Sequence, residues 1–83
     1  MNKEKASYAI ENFCFQVAKL DAKQQTQFID ALRDILNEKE MQALQIGIAY
    51  FRMLIDGKLR DAMKAAIANE LYKEFRRQLD NNN

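Results

Sequence analysis

The sequence predicts an all-α protein, a compact bundle of about four helices that span approximately residues 3–19, 22–36, 38–56 and 59–79. The 83-residue chain contains no proline and only two glycines, and the pairing of short apolar runs with turn dipeptides that marks β-hairpins is missing. Apolar residues instead recur at helical spacings along the chain. We therefore expect one helical domain over residues 1–83, with residues 81–83 as a frayed tail.

The first helix is predicted to bury one face and to carry aromatic side chains on the other. Its apolar face follows the i, i+3, i+4 pattern and comprises Ile10, Phe13, Cys14, Val17 and Leu20. Tyr8 and Phe15 project from nearly the opposite face, and they are aligned because seven residues separate them. Two aligned aromatic side chains indicate a second buried contact.

The second helix is predicted to have a single buried face. Asp21 is a favourable N-cap, and Gln24 three residues later completes a capping box. A clean apolar stripe follows, with polar residues on the other side of the helix; it comprises Phe28, Ile29, Leu32, Ile35 and Leu36.

The third helix is apolar on both sides, which is typical of a helix that is buried on both sides. Asn37 and Glu40 form a second capping box before it. Gly47 lies in the middle of the apolar run at 41–55, where a glycine is tolerated if another backbone packs closely against it. Gly57 is placed to end the helix in the left-handed conformation.

The fourth helix has an apolar residue at every fourth position, namely Leu59, Met63, Ile67, Leu71, Phe75 and Leu79. Because a helical turn takes 3.6 residues, this spacing rotates the stripe by about 40° at each step. We expect the helix either to cross its neighbours steeply along this ridge or to bend near Asn69.

These apolar surfaces favour a dimer over a tight monomer, although the monomer with the third helix at its centre stays open as the alternative. A chain of this size gains only a few kcal/mol from its own core, and a single cysteine excludes an internal disulfide. A second subunit would cover the apolar surface that three short helices leave exposed. The side chains that we expect at an interface with a second copy or another protein are Tyr8, Phe15, Ile46, Tyr50 and Met53.

The residue inventory argues against catalysis and against a bound cofactor or metal. The chain has no histidine, which is the commonest general base and a common zinc ligand. Cys14 lies on the apolar face of the first helix, where a buried, unreactive thiol is expected. Asp30 and Asp34 stand one turn apart, but Arg33 beside them favours a solvated surface over a metal site. We therefore predict a protein that is not an enzyme.

The ends and the charge of the chain predict a cytoplasmic protein that does not enter a membrane. The first ten residues lack a signal-peptide pattern, and no segment reaches the 18–20 apolar residues of a transmembrane helix. The net charge is +1, so the overall charge indicates neither nucleic acid nor a membrane surface as the partner.

Residues 37–61, "NEKEMQALQIGIAYFRMLIDGKLRD", resemble the region before the helix-turn-helix of Trp-repressor-like bacterial regulators. The positions that carry the resemblance are Glu40, Ala43, Leu44, Met53, Leu54, Gly57 and Lys58. The resemblance implies a small, all-helical, intertwined dimer that binds DNA. The following segment, residues 59–79, has no glycine, serine or threonine, unlike the turn and groove-entering residues of that family.

The leading functional hypothesis is a non-enzymatic helical interaction protein. It would act as a regulator, adaptor or inhibitor through protein–protein contacts, as a homodimer. The alternative is a DNA-binding transcriptional regulator of the Trp-repressor-like type. On that alternative the candidate nucleic-acid contacts are Lys64, Lys73, Arg76 and Arg77, although cations near a helix C-terminus also have a purely structural explanation.

Overall fold

Four α-helices and one short 3-10 turn make up the computed structural model, which describes the backbone of residues 3–81 and the side chains of residues 7–80. The helices are α1 (Lys3–Ala18), α2 (Ala22–Arg33), α3 (Glu38–Ile55) and α4 (Ala62–Asn81), and the 3-10 turn is Lys58–Arg60. Residues 3–81 contain no strand, so the predicted all-α fold is confirmed. Of the predicted tail, Asn81 ends α4, and residues 82–83 lie outside the described residues.

Both predicted capping boxes are present and have the same geometry. The backbone N–H of Gln24 donates to Oδ1 of Asp21 at 2.8 Å, and the N–H of Glu40 donates to Oδ1 of Asn37, also at 2.8 Å. In each box the third helical side chain accepts in return from the backbone N–H of the cap. These bonds satisfy donors that the first turn of a helix leaves unpaired.

The boundaries of α2 and α4 differ from the prediction, and local hydrogen bonds explain both differences. α2 ends at Arg33 rather than 36 because the N–H of Ile35 donates to the carbonyl of Leu32, three residues back, and not to the carbonyl four residues back that would continue the α-helix. α4 begins at Ala62 rather than 59, since the carboxylate of Asp61 accepts from the N–H groups that open the helix. α4 then continues without interruption through the position of the predicted break, Asn69.

The turn between α3 and α4 depends on Gly57. Its φ of 71° lies in the left-handed region, where a residue with a Cβ atom is strained. The N–H of Gly57 donates to the carbonyl of Leu54, which closes the end of α3. The sequence prediction of a left-handed glycine at this position is confirmed.

The core lies between α1, α3 and α4. Its buried side chains come from all three helices and are Cys14, Val17, Ala18, Ile48, Phe75 and Leu79. Gly47 lies at the point of closest approach. A Cβ atom there would come within 2.6 Å of the Phe75 ring and 2.9 Å of the Cys14 sulfur. The mid-helix glycine therefore allows the ring of α4 and the thiol of α1 to pack against α3.

A polar link also joins α1 to α4 at the edge of this core. The hydroxyl of Tyr72 donates to Oε1 of Glu11 at 2.8 Å, and the guanidinium of Arg76 donates to the same oxygen at 3.1 Å. The hydrogen bond to Glu11, with partial burial, raises the pKa of Tyr72. Glu11 thus accepts from two side chains of α4 and helps to fix its rotation.

α2 lies at the rim of the bundle. None of its twelve residues is buried, although the sequence predicts a stripe facing the core. Ile29 packs against the core cluster from outside, while Phe28 is exposed on one side and meets the ring of Phe13 on the other, with centroids 5.5 Å apart. The three-helix core of α1, α3 and α4 therefore closes without a buried side chain from α2.

Candidate interaction surface

The five interface residues predicted from the sequence separate into one exposed side chain and four that are half-buried. Tyr8 on α1 is 75% exposed. Phe15 is half-buried, because its ring packs edge-on against Phe51 of α3 with centroids 5.6 Å apart. Ile46 and Met53 are also half-buried, and Ile46 packs against the core cluster.

Tyr50, the fifth predicted residue, contacts aromatic rings within its own chain. Its ring lies 4.9 Å from that of Tyr72 on α4 and 5.0 Å from that of Phe51, centroid to centroid. Together with the Phe15–Phe51 contact, this places α1 and α4 on the two flanks of α3. α1 and α4 therefore cover much of both faces of α3 within one chain, and contact of the half-buried side chains with a second subunit stays a prediction.

Exposed apolar surface occurs instead at the start of α4. Met63 is 79% exposed and Ile67 is 54% exposed, and Leu59 in the 3-10 turn before them is exposed as well. We call these three residues the exposed stripe. Leu54 and Ile55, at the end of α3, are also exposed.

The exposed stripe has a simple geometric cause. The residues of α4 that face the core repeat at alternating spacings of three and four, as in Ala68, Tyr72, Phe75 and Leu79, and such a pattern keeps to one side of a helix. The every-fourth pattern rotates away from that side. It meets the core at Phe75 and Leu79 but has left it at Met63 and Ile67. The rotating stripe was visible in the sequence, but which end of it would be buried was not.

α2 and the segment after it contribute a further apolar surface. Ile35 is 76% exposed, and Phe28 is also exposed. An apolar groove runs between α1, α2 and α3, and its lining includes Ile10, Phe13 and Leu44.

The four candidate nucleic-acid contacts all lie on α4, and three of them pair with carboxylates. Lys73 is 3.5 Å from Glu70, Arg76 is 3.1 Å from Glu11, and Arg77 forms a hydrogen-bonded ion pair with Glu74. The fourth, Lys64, is in the exposed first turn of the helix.

The Arg77 pair affects the ionisation of Glu74. Hydrogen bonds from Arg77 and Gln78 lower the pKa of Glu74 to about 2, so its negative charge persists at any pH suited to DNA binding. These pairs reduce the positive charge that α4 presents to a phosphate backbone.

The single thiol of the chain lies in the core. Cys14 is fully buried, and burial raises the pKa of its thiol to about 12, so the nucleophilic thiolate is scarce at neutral pH. Within the described residues, no group of three acidic or cysteine side chains is placed to hold a metal ion. None of the helices described is both long and apolar enough to cross a bilayer.

Comparison with protein-family models, curated proteins and solved structures found no match for this chain. The resemblance of residues 37–61 to Trp-repressor-like regulators therefore stays a prediction from the sequence.

Proposed function

We propose that this chain is a non-enzymatic helical interaction protein that acts through protein–protein contacts, and that its first partner is a second copy of itself. The observation that carries the proposal is the exposed stripe. Met63 and Ile67 are large apolar side chains, one turn apart on a helix, and both are more than half exposed. An adjoining pair of this kind, next to exposed Leu59, is typical of a surface that another chain covers.

The amount of exposed surface supports the same proposal. The chain exposes 5903 Å², whereas a compact monomer of 9.7 kDa is expected to expose about 5100 Å². The exposed stripe is part of this surface. The radius of gyration, 12.8 Å, is likewise slightly above the ~12 Å expected for this length.

The charge of the chain favours a second copy as the partner. With a net charge of +1, two copies repel each other only weakly, and proteins near neutrality associate more readily than highly charged ones. A homodimer would then present regulatory, adaptor or inhibitory surfaces to a further protein, as the sequence hypothesis holds.

The test is the mass of the protein in solution, measured by sedimentation equilibrium across a range of concentrations. We expect a monomer–dimer equilibrium for the wild type and a monomer for Met63→Glu/Ile67→Glu, because each new carboxylate would be buried without a partner. Ile35→Glu is the matched control, because it places a carboxylate on an equally exposed apolar residue outside the exposed stripe, and it should leave the mass unchanged. A monomeric wild type at all concentrations, or a dimeric double variant, would contradict the proposal.

The DNA-binding alternative makes a separate prediction. A regulator that contacts phosphates through Lys64 and the basic residues near the end of α4 would shift a DNA duplex in a gel at low salt and release it steeply as salt rises. The ion pairs of Lys73, Arg76 and Arg77 weigh against this outcome. A salt-sensitive shift that is lost in Lys64→Ala/Arg77→Ala would favour the regulator over the adaptor.

A further inference from the structure

α2 differs from the other three helices in how it is held. It buries no residue, whereas α1, α3 and α4 each contribute fully or nearly fully buried side chains to one cluster. No buried member of that cluster belongs to α2, so the cluster keeps all its members when α2 leaves. The apolar area of α2 that would become exposed belongs to half-buried side chains, chiefly Ile29 and Leu32. Because stabilisation scales with the area removed from water, α2 is held less strongly than its neighbours.

The polar contacts of α2 can also be broken without leaving a buried group unpaired. The side-chain amide of Gln25 donates to the carbonyls of Ala18 and Leu20 at the end of α1, at 3.3 and 3.0 Å. Arg52 of α3 donates to the same two carbonyls, at 3.0 and 3.3 Å. When Gln25 leaves, Arg52 still satisfies the end of α1, and water can pair with the released amide.

The cap of α2 and the connections on either side of it allow the helix to move as a unit. The Asp21–Gln24 capping box satisfies its first turn from within its own segment, so the start of the helix does not depend on the rest of the bundle. Short irregular connections at 19–21 and 34–37 flank it, and changes in a few backbone angles there can swing a helix. Leu32 of α2 forms one wall of the apolar groove, together with Ile10 and Phe13 of α1 and Leu44 of α3.

We infer that α2 is a hinged flap, which opens as a unit from the intact core of α1, α3 and α4 and exposes the apolar side chains of α1 and α3 that line this groove. The inference goes beyond the proposed self-association, because the exposed stripe lies on α4 and does not involve α2. A segment that opens locally is among the least stable parts of a protein, and binding and regulatory elements are commonly found among such segments.

Hydrogen exchange of backbone amides as a function of urea measures this opening directly. We expect the amides of residues 25–33 to be protected but to exchange on the order of 100-fold faster than those of residues 45–51. Their rates should also rise less steeply with urea, because opening the flap exposes less surface than global unfolding. Equal rates with equal urea dependence would overturn the inference, and so would a lack of protection in α2.

Two variants separate flap opening from global unfolding. Phe28→Ala weakens only the closed state, so it should accelerate exchange in α2 and α3 by the same factor. Ile48→Val weakens a core that stays packed whether the flap is open or closed. It should accelerate exchange in α3 by about 2- to 12-fold and leave α2 unchanged. Acceleration of both helices by Ile48→Val would show that they open together and would overturn the inference.

A variant that is expected to be monomeric keeps this test independent of self-association. Measured in the monomeric variant Met63→Glu/Ile67→Glu, the exchange of α2 should be the same as in the wild type. A loss of the α2–α3 difference in that variant would assign the difference to the dimer rather than to a flap.

Discussion

α2 and α3 both begin with a capping box, but they lie at different depths in the bundle. Each follows a capping box in which a cap oxygen accepts from a backbone N–H at 2.8 Å. α3 then runs through the centre of the bundle with four buried residues, while α2 lies at the rim with none. Local signals thus specify that a helix forms and where it starts, whereas its depth in the protein depends on what its faces meet.

The difference lies in the number of faces that each helix can bury. α3 is apolar around most of its circumference and has Gly47 where α1 and α4 approach most closely, so two neighbours can pack on it at once. α2 has one stripe, and the core that would receive it is already closed by α1 and α4. α2, which has one apolar face, therefore packs on the outside of the core. α3, which has two, lies between the helices that form the core.

The largest expected effect separates two phenylalanines of these regions. Phe75 is fully buried against α3, and Phe75→Ala should lower the free energy of unfolding by about 3–5 kcal/mol, which is most of the stability of so small a chain. Phe28 of α2 is exposed on one side, and Phe28→Ala should cost about 1 kcal/mol. Urea denaturation followed by circular dichroism measures both.

If Phe75→Ala and Phe28→Ala lower the free energy of unfolding equally, α2 belongs to the core and the contrast between α2 and α3 is wrong. If Phe75→Ala does not fold, Phe75→Leu keeps an apolar side chain at the site and should still cost more than Phe28→Leu.

A smaller effect on stability is expected at Gly47, where side chains of both α1 and α4 pack against α3. Alanine has the higher helix propensity, by about 1 kcal/mol, yet its Cβ atom would lie 2.6 Å from the Phe75 ring. Overpacking typically costs about 1–3 kcal/mol, so Gly47→Ala should lower the thermal midpoint. The substitution should cost less in a Phe75→Leu background, where the ring is gone. A raised midpoint for Gly47→Ala alone would show that the helices do not approach so closely.

Sequence reasoning was most accurate where structure is local. The caps at Asp21 and Asn37 and the left-handed Gly57 depend on a few neighbouring residues, and all three are confirmed. The burial of Phe75 and the exposure of Met63 could not be separated in the same way, because both belong to one stripe and only the approach of α3 selects between them.

The aromatic residues show the same limit of prediction. Phe15 and Tyr50 are predicted to meet a second subunit, and the structure shows that each already contacts a ring of its own chain, Phe51 and Tyr72 respectively. Periodicity identifies a face that needs cover. It does not identify which helix provides the cover when several short helices are available.

The smallest expected effect compares the two capping boxes themselves. Asn37→Ala and Asp21→Ala remove the same kind of hydrogen bond, and a lost cap typically costs about 1 kcal/mol. Because α3 is part of the cooperative core, Asn37→Ala should shift the whole thermal transition. The circular dichroism signal at 222 nm and the tyrosine fluorescence, to which Tyr50 and Tyr72 contribute from the contact between α3 and α4, should then change together. Asp21→Ala should lower the stability of α2 in particular. Its helical signal should begin to fall before the tyrosine signal does, since those rings lie in the part of the fold that stays packed. If the helical and tyrosine signals change together in both variants, α2 unfolds only with the core. The rim position of α2 would then make it no less stable than α3.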